Sequence, residues 1–462
     1  MALPNTFFGA SRIAEMLRGK KNLWFIGIGG VHMSRMALFA KKRGFSVGGS
    51  DAVESKNTDL LLQNGIPVLL SHRGEQVEGA DAVIYTLAIS GDDPEYVRAR
   101  ELGVPVISRA DFLSFLIADR PLRIVVSGSH GKSTVTAMLG DIFRRAGRAP
   151  TVFCGAPSAE VPSTEGDVAI IEGCEYGNSF HAFSPTLALI LNVQHDHVDF
   201  FKDEQALCAS FSSFARRAER VLAFAEDENA CRAAAACRSC PVTFGYSSGD
   251  YRAKDVLMEG GCGRFTAVTP SGNFSVSLCV MGQHNVTNAL AALAAADLCG
   301  IPHPIIAAAL GAFRGVSRRM EYKGVLRGAR VFDDYAHHPA EIAAALQAVR
   351  EVAGRGRIFA VFQSHTYTRT LAFLDEICEA LRPAHRIFVA PIYAARERDT
   401  LGMSAARLAR GIGAHATAGR DASDIAAMLL EEVREGDVVL VMGAGDIDRI
   451  FAEFSPKDFT LA

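Results

Sequence analysis

The segment Ser127-Gly128-Ser129-His130-Gly131-Lys132-Ser133-Thr134 decides the fold of this chain. It lies between an apolar run, 122–126, that predicts a buried strand and a stretch, 135–143, that predicts a helix. Backbone N–H groups of a glycine turn at a helix N-terminus bind anions, and the lysine adds a point charge for outer phosphates. Val126 stands where the usual GxxxxGK[ST] pattern has glycine, so the loop is a compact variant. We therefore predict a nucleoside triphosphate site.

The rest of the chain predicts a three-domain α/β protein. A length of 462 residues suggests three domains, and short apolar strands alternate with helix-like stretches throughout. We expect an N-terminal Rossmann-like domain at 1–118, a central P-loop ATPase-like domain with a parallel sheet at 119–312, and a C-terminal Rossmann-like domain at 313–462.

Composition points to small-molecule partners in the cytoplasm. The net charge of -3 gives no electrostatic footprint for nucleic acid, and the apolar runs are too short for membrane insertion. Ten cysteines are scattered without a disulfide framework, which predicts reduced thiols. Cys237 and Cys240 have the spacing of half a zinc site but lack a second pair, so we do not expect a metal there.

A first glycine cluster, Gly27-Ile28-Gly29-Gly30, follows a predicted strand and opens a helix that carries Ser34. Asp51 comes about 20 residues later, where dinucleotide-binding folds place a ribose-binding carboxylate. However, His32 stands where GxGxxG requires glycine, which disfavours NAD as a hydride carrier. We expect the glycines to hold a diphosphate; their use only for tight strand–helix packing is the alternative.

Polar residues follow several further strands, at the edge where open parallel sheets bind ligands. Glu172 ends one apolar strand, and Asp196-His197-Val198-Asp199 follows another. Magnesium prefers oxygen ligands, which favours Ser133 and Glu172; for His197, a metal contact and a structural hydrogen bond both stay open. In the predicted C-terminal domain, the guanidinium of Arg369 could bind a ligand carboxylate or form an ion pair within the protein.

Together these motifs resemble the Mur ligase family over about residues 24–450, and the matching segments also include 284–289, Arg318-Arg319, 333–339, 363–370 and 443–445. The resemblance implies an ATP- and magnesium-dependent ligase that adds L-alanine to the lactyl carboxylate of UDP-N-acetylmuramate through an acyl phosphate, in peptidoglycan precursor synthesis. A murein tripeptide recycling ligase is the alternative within the family. A non-catalytic nucleotide-binding regulator and an NAD-dependent oxidoreductase are alternatives from other classes.

The resemblance also assigns roles to matched residues. It implies a catalytic set of Lys132, Glu172, His197 and Arg319, with one magnesium on Ser133 and Glu172 and a second magnesium on His197. ATP would contact the loop 128–134, His284 and Asn288 at the adenine, Arg319 at the phosphates and Asp334 at the ribose. The substrates would contact Gly27, Gly29, Gly30, Ser34, Asp51, Tyr335, His337 and Arg369. Two departures from relatives are Thr366, where many have a second arginine, and Gly173-Cys174, which removes an acid beside the magnesium site.

Overall fold

The computed structural model describes residues 3–155, 162–198, 200–395, 397–399 and 402–462. Three largely parallel sheets follow one another along the chain, which confirms the predicted α/β fold of three domains. Packing divides the chain into two units. The first is Met1–Gln194 with Glu204–Arg252 and Ala291–Ala309; the second is His195–Asp203 with Ala253–Leu290 and Leu310–Ala462.

The N-terminal sheet is a five-stranded parallel sheet of order β3-β2-β1-β4-β5. Its strands are β1 (Asn22–Ile26), β2 (Ser46–Ser50), β3 (Val68–Leu69), β4 (Ala82–Tyr85) and β5 (Val106–Ser108). Its helices are α1 (Ala10–Met16), α2 (Val31–Lys42), α3 (Lys56–Gln63), α4 (Pro94–Glu101) and α5 (Arg109–Leu116). Buried apolar residues on both faces explain why the strands read as short continuous apolar runs.

The central sheet carries the phosphate loop. Its parallel strands in the first unit have the order β11-β10-β9-β6-β8-β7. They are β6 (Leu122–Ser127), β7 (Thr151–Phe153), β8 (Val168–Glu172), β9 (Leu187–Ile190), β10 (Arg220–Phe224) and β11 (Val242–Gly245); the helices are α6 (Lys132–Arg145), α7 (Glu204–Ala215) and α8 (Glu228–Ala234). Because β6 lies between β8 and β9, their carboxyl ends flank the phosphate loop.

The following segment contains β12 (Tyr251–Glu259), β13 (Cys262–Thr269), β14 (Gly272–Met281), α9 (Gln283–Leu298) and α10 (His303–Ala312). The strands β13 and β14 form an antiparallel hairpin in the second unit.

The C-terminal sheet has the order β19-β18-β17-β20-β16-β15-β21, parallel from β19 to β16 and antiparallel at β15 and β21. Its strands are β15 (Glu321–Leu326), β16 (Ala329–Asp334), β17 (Ile358–Gln363), β18 (Arg386–Val389), β19 (Ala416–Ala418), β20 (Val438–Gly443) and β21 (Phe459–Leu461). The helices are α11 (Pro339–Ala353), α12 (Tyr367–Ala372), α13 (Leu374–Leu381), α14 (Ala405–Ile412) and α15 (Ala422–Glu432). Apolar cores cover both faces of this sheet.

Two further observations bear on the composition-based predictions. All ten cysteines lie in the described part of the chain, and each is a free thiol. Among the described residues, every helix is either too short or too polar to cross a bilayer.

Candidate active site

The phosphate loop after β6 has the backbone geometry that only glycine adopts readily. Gly128 and Gly131 have φ values of 142° and 84°, in the left-handed region. A Cβ atom on Gly128 would lie 2.9 Å from the Cβ of Leu191. Gly131 is the N-cap of α6, and no side chain caps this helix. The N–H groups of the first turn of α6 are therefore available to an anion.

Hydrogen bonds to the end of β9 hold the loop in place. The N–H of Ser129 donates to the carbonyl of Asn192 at 3.1 Å, and its Oγ donates to the carbonyl of Gln194 at 2.9 Å. The N–H of His130 donates to Oδ1 of Asn192 at 2.8 Å. The loop is thus preorganised by its neighbouring strand rather than by its own sequence alone.

Lys132 is held inside the loop by a buried carboxylate. Its Nζ lies 3.0 Å from Oε2 and 3.1 Å from Oε1 of Glu175, and it donates to the carbonyls of Gly128 at 2.5 Å and Ser129 at 3.1 Å. Burial alone would lower the pKa of Lys132, but the nearby Glu175, Cys174 and Glu172 raise it above its ordinary value. Lys132 is therefore positively charged, and its charge is paired with the carboxylate of Glu175.

Oxygen ligands suitable for magnesium lie at the edge of the same loop. Glu172 ends β8, and its Oε2 accepts the N–H of Gly155 at 2.6 Å. A Cβ atom on Gly155 would lie 2.9 Å from Oε1 of Glu172, so the backbone approaches this carboxylate closely. Ser133 and Thr134 are buried in the first turn of α6. A carboxylate beside hydroxyl groups is a donor set that fits a hard cation.

The N-terminal glycine cluster forms a tight turn between β1 and α2. Gly27 has a φ of 74°, and a Cβ there would lie 2.7 Å from Cγ2 of Thr86. Asp51 accepts the N–H of Gly29 at 2.8 Å through Oδ2, and a Cβ on Gly29 would lie 2.9 Å from that oxygen. Asp51 thus shapes the glycine turn, a contact that spacing alone did not predict.

The start of α2 combines an uncapped N-terminus with a half-buried histidine. Gly30 is the N-cap, no side chain caps it, and no acidic residue lies in the first turn. Ser34 is 1% exposed, and its Oγ donates to the carbonyl of Val31 at 3.2 Å. Burial and the charges of Arg109 and Arg35 lower the pKa of His32 well below its ordinary value, so the imidazole is neutral.

In the second unit, Arg369 forms a buried ion pair with Asp196. Their side chains are 9% and 7% exposed. Burial alone would raise the pKa of Asp196, but His197, Arg369 and His337 hold it well below its ordinary value. From the sequence, Arg369 fitted either a bound carboxylate or an ion pair. In the structure it forms an ion pair with Asp196.

Two neutral histidines lie beside this pair. Burial lowers the pKa of His337 to about 3 and that of His365 to about 4, and the charge of Arg369 adds to both shifts. Nδ1 of His337 donates to the carbonyl of Tyr335 at 2.9 Å, which leaves Nε2 as its acceptor nitrogen. The rings of His337 and His365 are 5.9 Å apart.

His197 has a backbone conformation uncommon for a side-chain-bearing residue. Its φ is 53°, its N–H donates to Oδ1 of Asp196 at 2.6 Å, and its carbonyl accepts the N–H groups of Phe200 and Phe201, each at 2.8 Å. This turn fixes the position of His197 next to Asp196. Asp199, the last residue of the predicted motif, lies outside the described residues.

Asp334 organises the turn that carries Arg319. Its Oδ2 accepts the N–H of Met320 at 2.7 Å, and its Oδ1 accepts the N–H of Ala336 at 2.7 Å. Burial raises the pKa of Asp334 to about 6. Arg319 lies over the ring of Tyr335 at 5.2 Å. Asp334 therefore positions the basic turn through its backbone, and its predicted contact with a ribose stays a prediction.

The two residues predicted at the adenine lie in the first turns of α9. Burial and the charge of Arg319 lower the pKa of His284 to about 4. Nδ2 of Asn288 donates to Oδ1 of Asn285 at 3.0 Å, and Asn285 donates to the carbonyl of Met281 at 2.7 Å. The electrostatic effect of Arg319 on His284 indicates that these predicted nucleotide residues are near one another in the second unit.

The structure thus gathers the predicted residues into two sets. The first unit brings Lys132, Ser133 and Glu172 to one edge of the central sheet. In the second unit, Asp196 pairs with Arg369 and lies beside His197 and His337, and Asp334 holds the turn that carries Arg319. Three residues near these sets were not assigned a role from the sequence: Glu341, Arg109 and Glu175. Glu341 had a readable signal, because it is the third helical residue of α11, forms a capping box with His338, and follows a proline at the first helical position.

Comparisons with known proteins agree with this geometry. Three family models match in order along the chain: "Mur ligase family, catalytic domain" at residues 22–121, "Mur ligase middle domain" at 126–296 and "Mur ligase, glutamate ligase domain" at 318–445. The chain belongs to the Mur ligase family.

Among its relatives, the chain is similar to UDP-N-acetylmuramate–L-alanine ligase of Caldanaerobacter subterraneus subsp. tengcongensis, at 38% identity over 94% of this chain and 97% of that protein. The ligase of the same name from Clostridium acetobutylicum is 36% identical over 95% of this chain and 98% of that protein. The crystal structure of UDP-N-acetylmuramate-alanine ligase from Thermotoga maritima superimposes with a TM-score of 0.80 at 30% identity, covering 93% of this chain and 98% of that one.

Proposed function

We propose that this chain is an ATP-dependent ligase that joins the amino group of L-alanine to the lactyl carboxylate of UDP-N-acetylmuramate, in peptidoglycan precursor synthesis. The observation that carries the proposal is full-length similarity to ligases of that name, at 36% to 38% identity in the two relatives described. The half-buried Lys132 and Glu172 at the phosphate loop support ATP as the activating substrate.

Activation of the carboxylate is the first step of the proposed reaction. A carboxylate oxygen attacks the γ-phosphorus of ATP, the bond from that phosphorus to the β–γ bridging oxygen breaks, and ADP leaves. Lys132 and Arg319 are the residues we assign to the negative charge that spreads over the phosphoryl oxygens. Magnesium held by Ser133 and Glu172, with a second magnesium at His197, would supply further positive charge at the phosphates.

Amide formation is the second step. The neutral amine of alanine attacks the acyl carbon, and collapse of the tetrahedral intermediate expels inorganic phosphate. We assign Arg369 to the alanine carboxylate, with Tyr335 and His337 beside it. Arg369 is paired with Asp196 in the structure, so the alanine carboxylate has to share or replace that partner. The geometry of His337 supports a role as proton acceptor through Nε2, although its low pKa makes it a weak base.

We assign ATP to the loop 128–134, His284, Asn288 and Asp334, and UDP-sugar binding to Gly27, Gly29, Gly30, Ser34 and Asp51. We also propose domains at 1–118, 119–312 and 313–462. The helix α5 ends at Leu116 and α10 at Ala312, which supports both boundaries. The location we propose is the cytoplasm, where ATP is available and the ten free thiols stay reduced.

Product mass tests the proposed function. The protein is incubated with ATP, magnesium, UDP-N-acetylmuramate and, separately, L-alanine, glycine, L-serine or the tripeptide L-alanyl-γ-D-glutamyl-meso-diaminopimelate. We expect the largest yield of ligated product with L-alanine and one ADP per product. Preferential ligation of the tripeptide would identify a recycling ligase instead, and ADP formation without any ligated product would contradict ligation altogether.

A further inference from the structure

Arg109 is a half-buried cation near the phosphate loop that the proposed reaction has not used. It is the first residue of α5, directly after β5. Among the described residues, the guanidinium forms no hydrogen bond and no ion pair within 4.0 Å. The guanidinium nevertheless interacts electrostatically with three residues, His32, Glu172 and Cys174. Arg109 therefore lies between the start of α2 and the end of β8.

The negative charge around Arg109 is only partly available to it. Glu175 is paired with Lys132. Glu172 is the remaining anion, and it already accepts the N–H of Gly155 and is the residue we assign to magnesium. A guanidinium in this setting lacks a dedicated counter-ion, which is the condition of an anion-binding group.

His32 supplies a second unsatisfied group on the other side of Arg109. Its Nε2 is buried and has no hydrogen-bond partner. The ring is neutral, so Nε2 can be either a donor or an acceptor. His32 lies in the first turn of α2, which has neither a side-chain cap nor an acidic residue. Two polar groups and a helix N-terminus that all favour an oxyanion thus occur together.

We propose that Arg109, assisted by His32, binds the lactyl carboxylate of the acid substrate and presents it to the phosphate loop. This proposal rests on the proposed function and names the group that holds the reacting acid. The same substrate offers a second anion, its diphosphate. The carboxylate is favoured because Arg109 and Lys132 both act on Glu172 and Cys174, so a group on Arg109 is close to the loop that holds the γ-phosphate. Arg109 is thus a binding residue for the carboxylate that is phosphorylated.

Two ligands distinguish binding of the lactyl carboxylate from binding of the diphosphate. UDP-N-acetylglucosamine has the same diphosphate as UDP-N-acetylmuramate but lacks the lactyl ether and its carboxylate. Calorimetric titration of the full chain with each ligand, with and without a non-hydrolysable ATP analogue, gives four dissociation constants. The variants are Arg109→Ala, Arg109→Lys and His32→Gln, and binding of the ATP analogue together with circular dichroism serves as the folding control.

We expect Arg109→Ala to weaken UDP-N-acetylmuramate roughly ten- to a hundredfold, the range for a lost charge-assisted hydrogen bond, and to leave UDP-N-acetylglucosamine within about twofold. Arg109→Lys should recover part of the loss, because the charge returns without the planar fork. Equal losses for both ligands would place Arg109 on the diphosphate and overturn the proposal, as would unchanged binding of both.

A wrong assignment of Arg109 can be distinguished from a wrong proposed function. If wild-type protein bound the two UDP-sugars equally and ligated no amino acid, the proposed function would be wrong, whatever the Arg109 variants did. If wild-type protein ligated L-alanine and preferred UDP-N-acetylmuramate, but Arg109→Ala retained that preference, only the assignment of Arg109 would fail. Should Arg109→Ala misfold, Arg109→Lys and the smaller expected loss in His32→Gln decide the same comparison.

Discussion

Replacing Glu175 by glutamine should make ATP bind more tightly while the protein becomes less stable. In the unliganded protein, Lys132 Nζ lies 3.0 and 3.1 Å from the two carboxylate oxygens of Glu175, whose side chain is 1% exposed. A charge-assisted hydrogen bond of this kind is worth about 1.5 to 3 kcal/mol. If Lys132 leaves Glu175 for the phosphates, that interaction opposes ATP binding.

The expected magnitude follows from the same interaction. Glu175→Gln should lower the dissociation constant of a non-hydrolysable ATP analogue by up to roughly ten- to a hundredfold, because each 1.4 kcal/mol is tenfold. The free energy of unfolding should fall by about 1 to 3 kcal/mol, since the charge of Lys132 loses its buried partner. Calorimetric titration measures the first quantity and urea unfolding the second.

The decisive result is that Glu175→Gln binds the ATP analogue more tightly and is at the same time less stable. Glu175→Asp is the matched control, because it keeps the charge and shortens the side chain. Lys132→Ala should abolish binding of the analogue but leave UDP-N-acetylmuramate binding nearly unchanged. Lower stability of Glu175→Gln without tighter binding would refute the reasoning, because Lys132 would then keep Glu175 as its partner in the complex.

Three further perturbations test other parts of the account. Arg369→Ala should raise the apparent constant for L-alanine roughly ten- to a hundredfold in steady-state kinetics, with those for ATP and the UDP-sugar unchanged; weakened ATP instead would mean that Arg369 has been given the wrong ligand. Glu172→Gln should shift the rate against magnesium concentration to higher magnesium, because a neutral amide is a poorer ligand, and an unchanged curve would make Glu172 a structural residue. His72→Gln should lower the free energy of unfolding at pH 7 by about 1 to 3 kcal/mol, because His72 lies 2.9 Å from Asp93 and 3.0 Å from the buried Glu95. Hydrogen bonds to these two carboxylates raise the pKa of His72 to about 10, so its contribution is complete below about pH 6.5 and is lost as the pH rises through 10; equal pH dependence of the variant and wild-type stabilities would contradict this.

The fold was largely predictable because its strands are short apolar runs followed by polar or glycine-rich turns. The strand predicted from the apolar run 122–126 is Leu122–Ser127 in the structure, one residue longer. Helix ends were less predictable: the helix expected at 135–143 runs over Lys132–Arg145, because its first turn consists of phosphate-loop residues rather than apolar ones. Antiparallel pairing of β15 and β21 joins segments far apart in sequence, and no local pattern encodes it.

For the candidate site, residue identities were easier to predict than partners. Spacing placed Asp51 at a ribose, yet its carboxylate accepts the N–H of Gly29. Asp334 likewise accepts two backbone N–H groups, and Arg369 is paired with Asp196 across 173 positions of sequence. Such partners depend on tertiary packing, which is why Arg109 carried no signal in the sequence.

Transfer of oxygen from the acid substrate to phosphate shows whether ligation proceeds through an acyl phosphate. UDP-N-acetylmuramate labelled with ¹⁸O in both lactyl carboxylate oxygens is incubated with the protein, ATP, magnesium and L-alanine, and the product and inorganic phosphate are analysed by mass spectrometry. We expect a ligated L-alanyl product and one ¹⁸O atom in each phosphate released with it, because the acyl phosphate retains the attacking oxygen on phosphorus. Unlabelled phosphate accompanying the ligated product, or ATP hydrolysis with no product, would contradict ligation through an acyl phosphate.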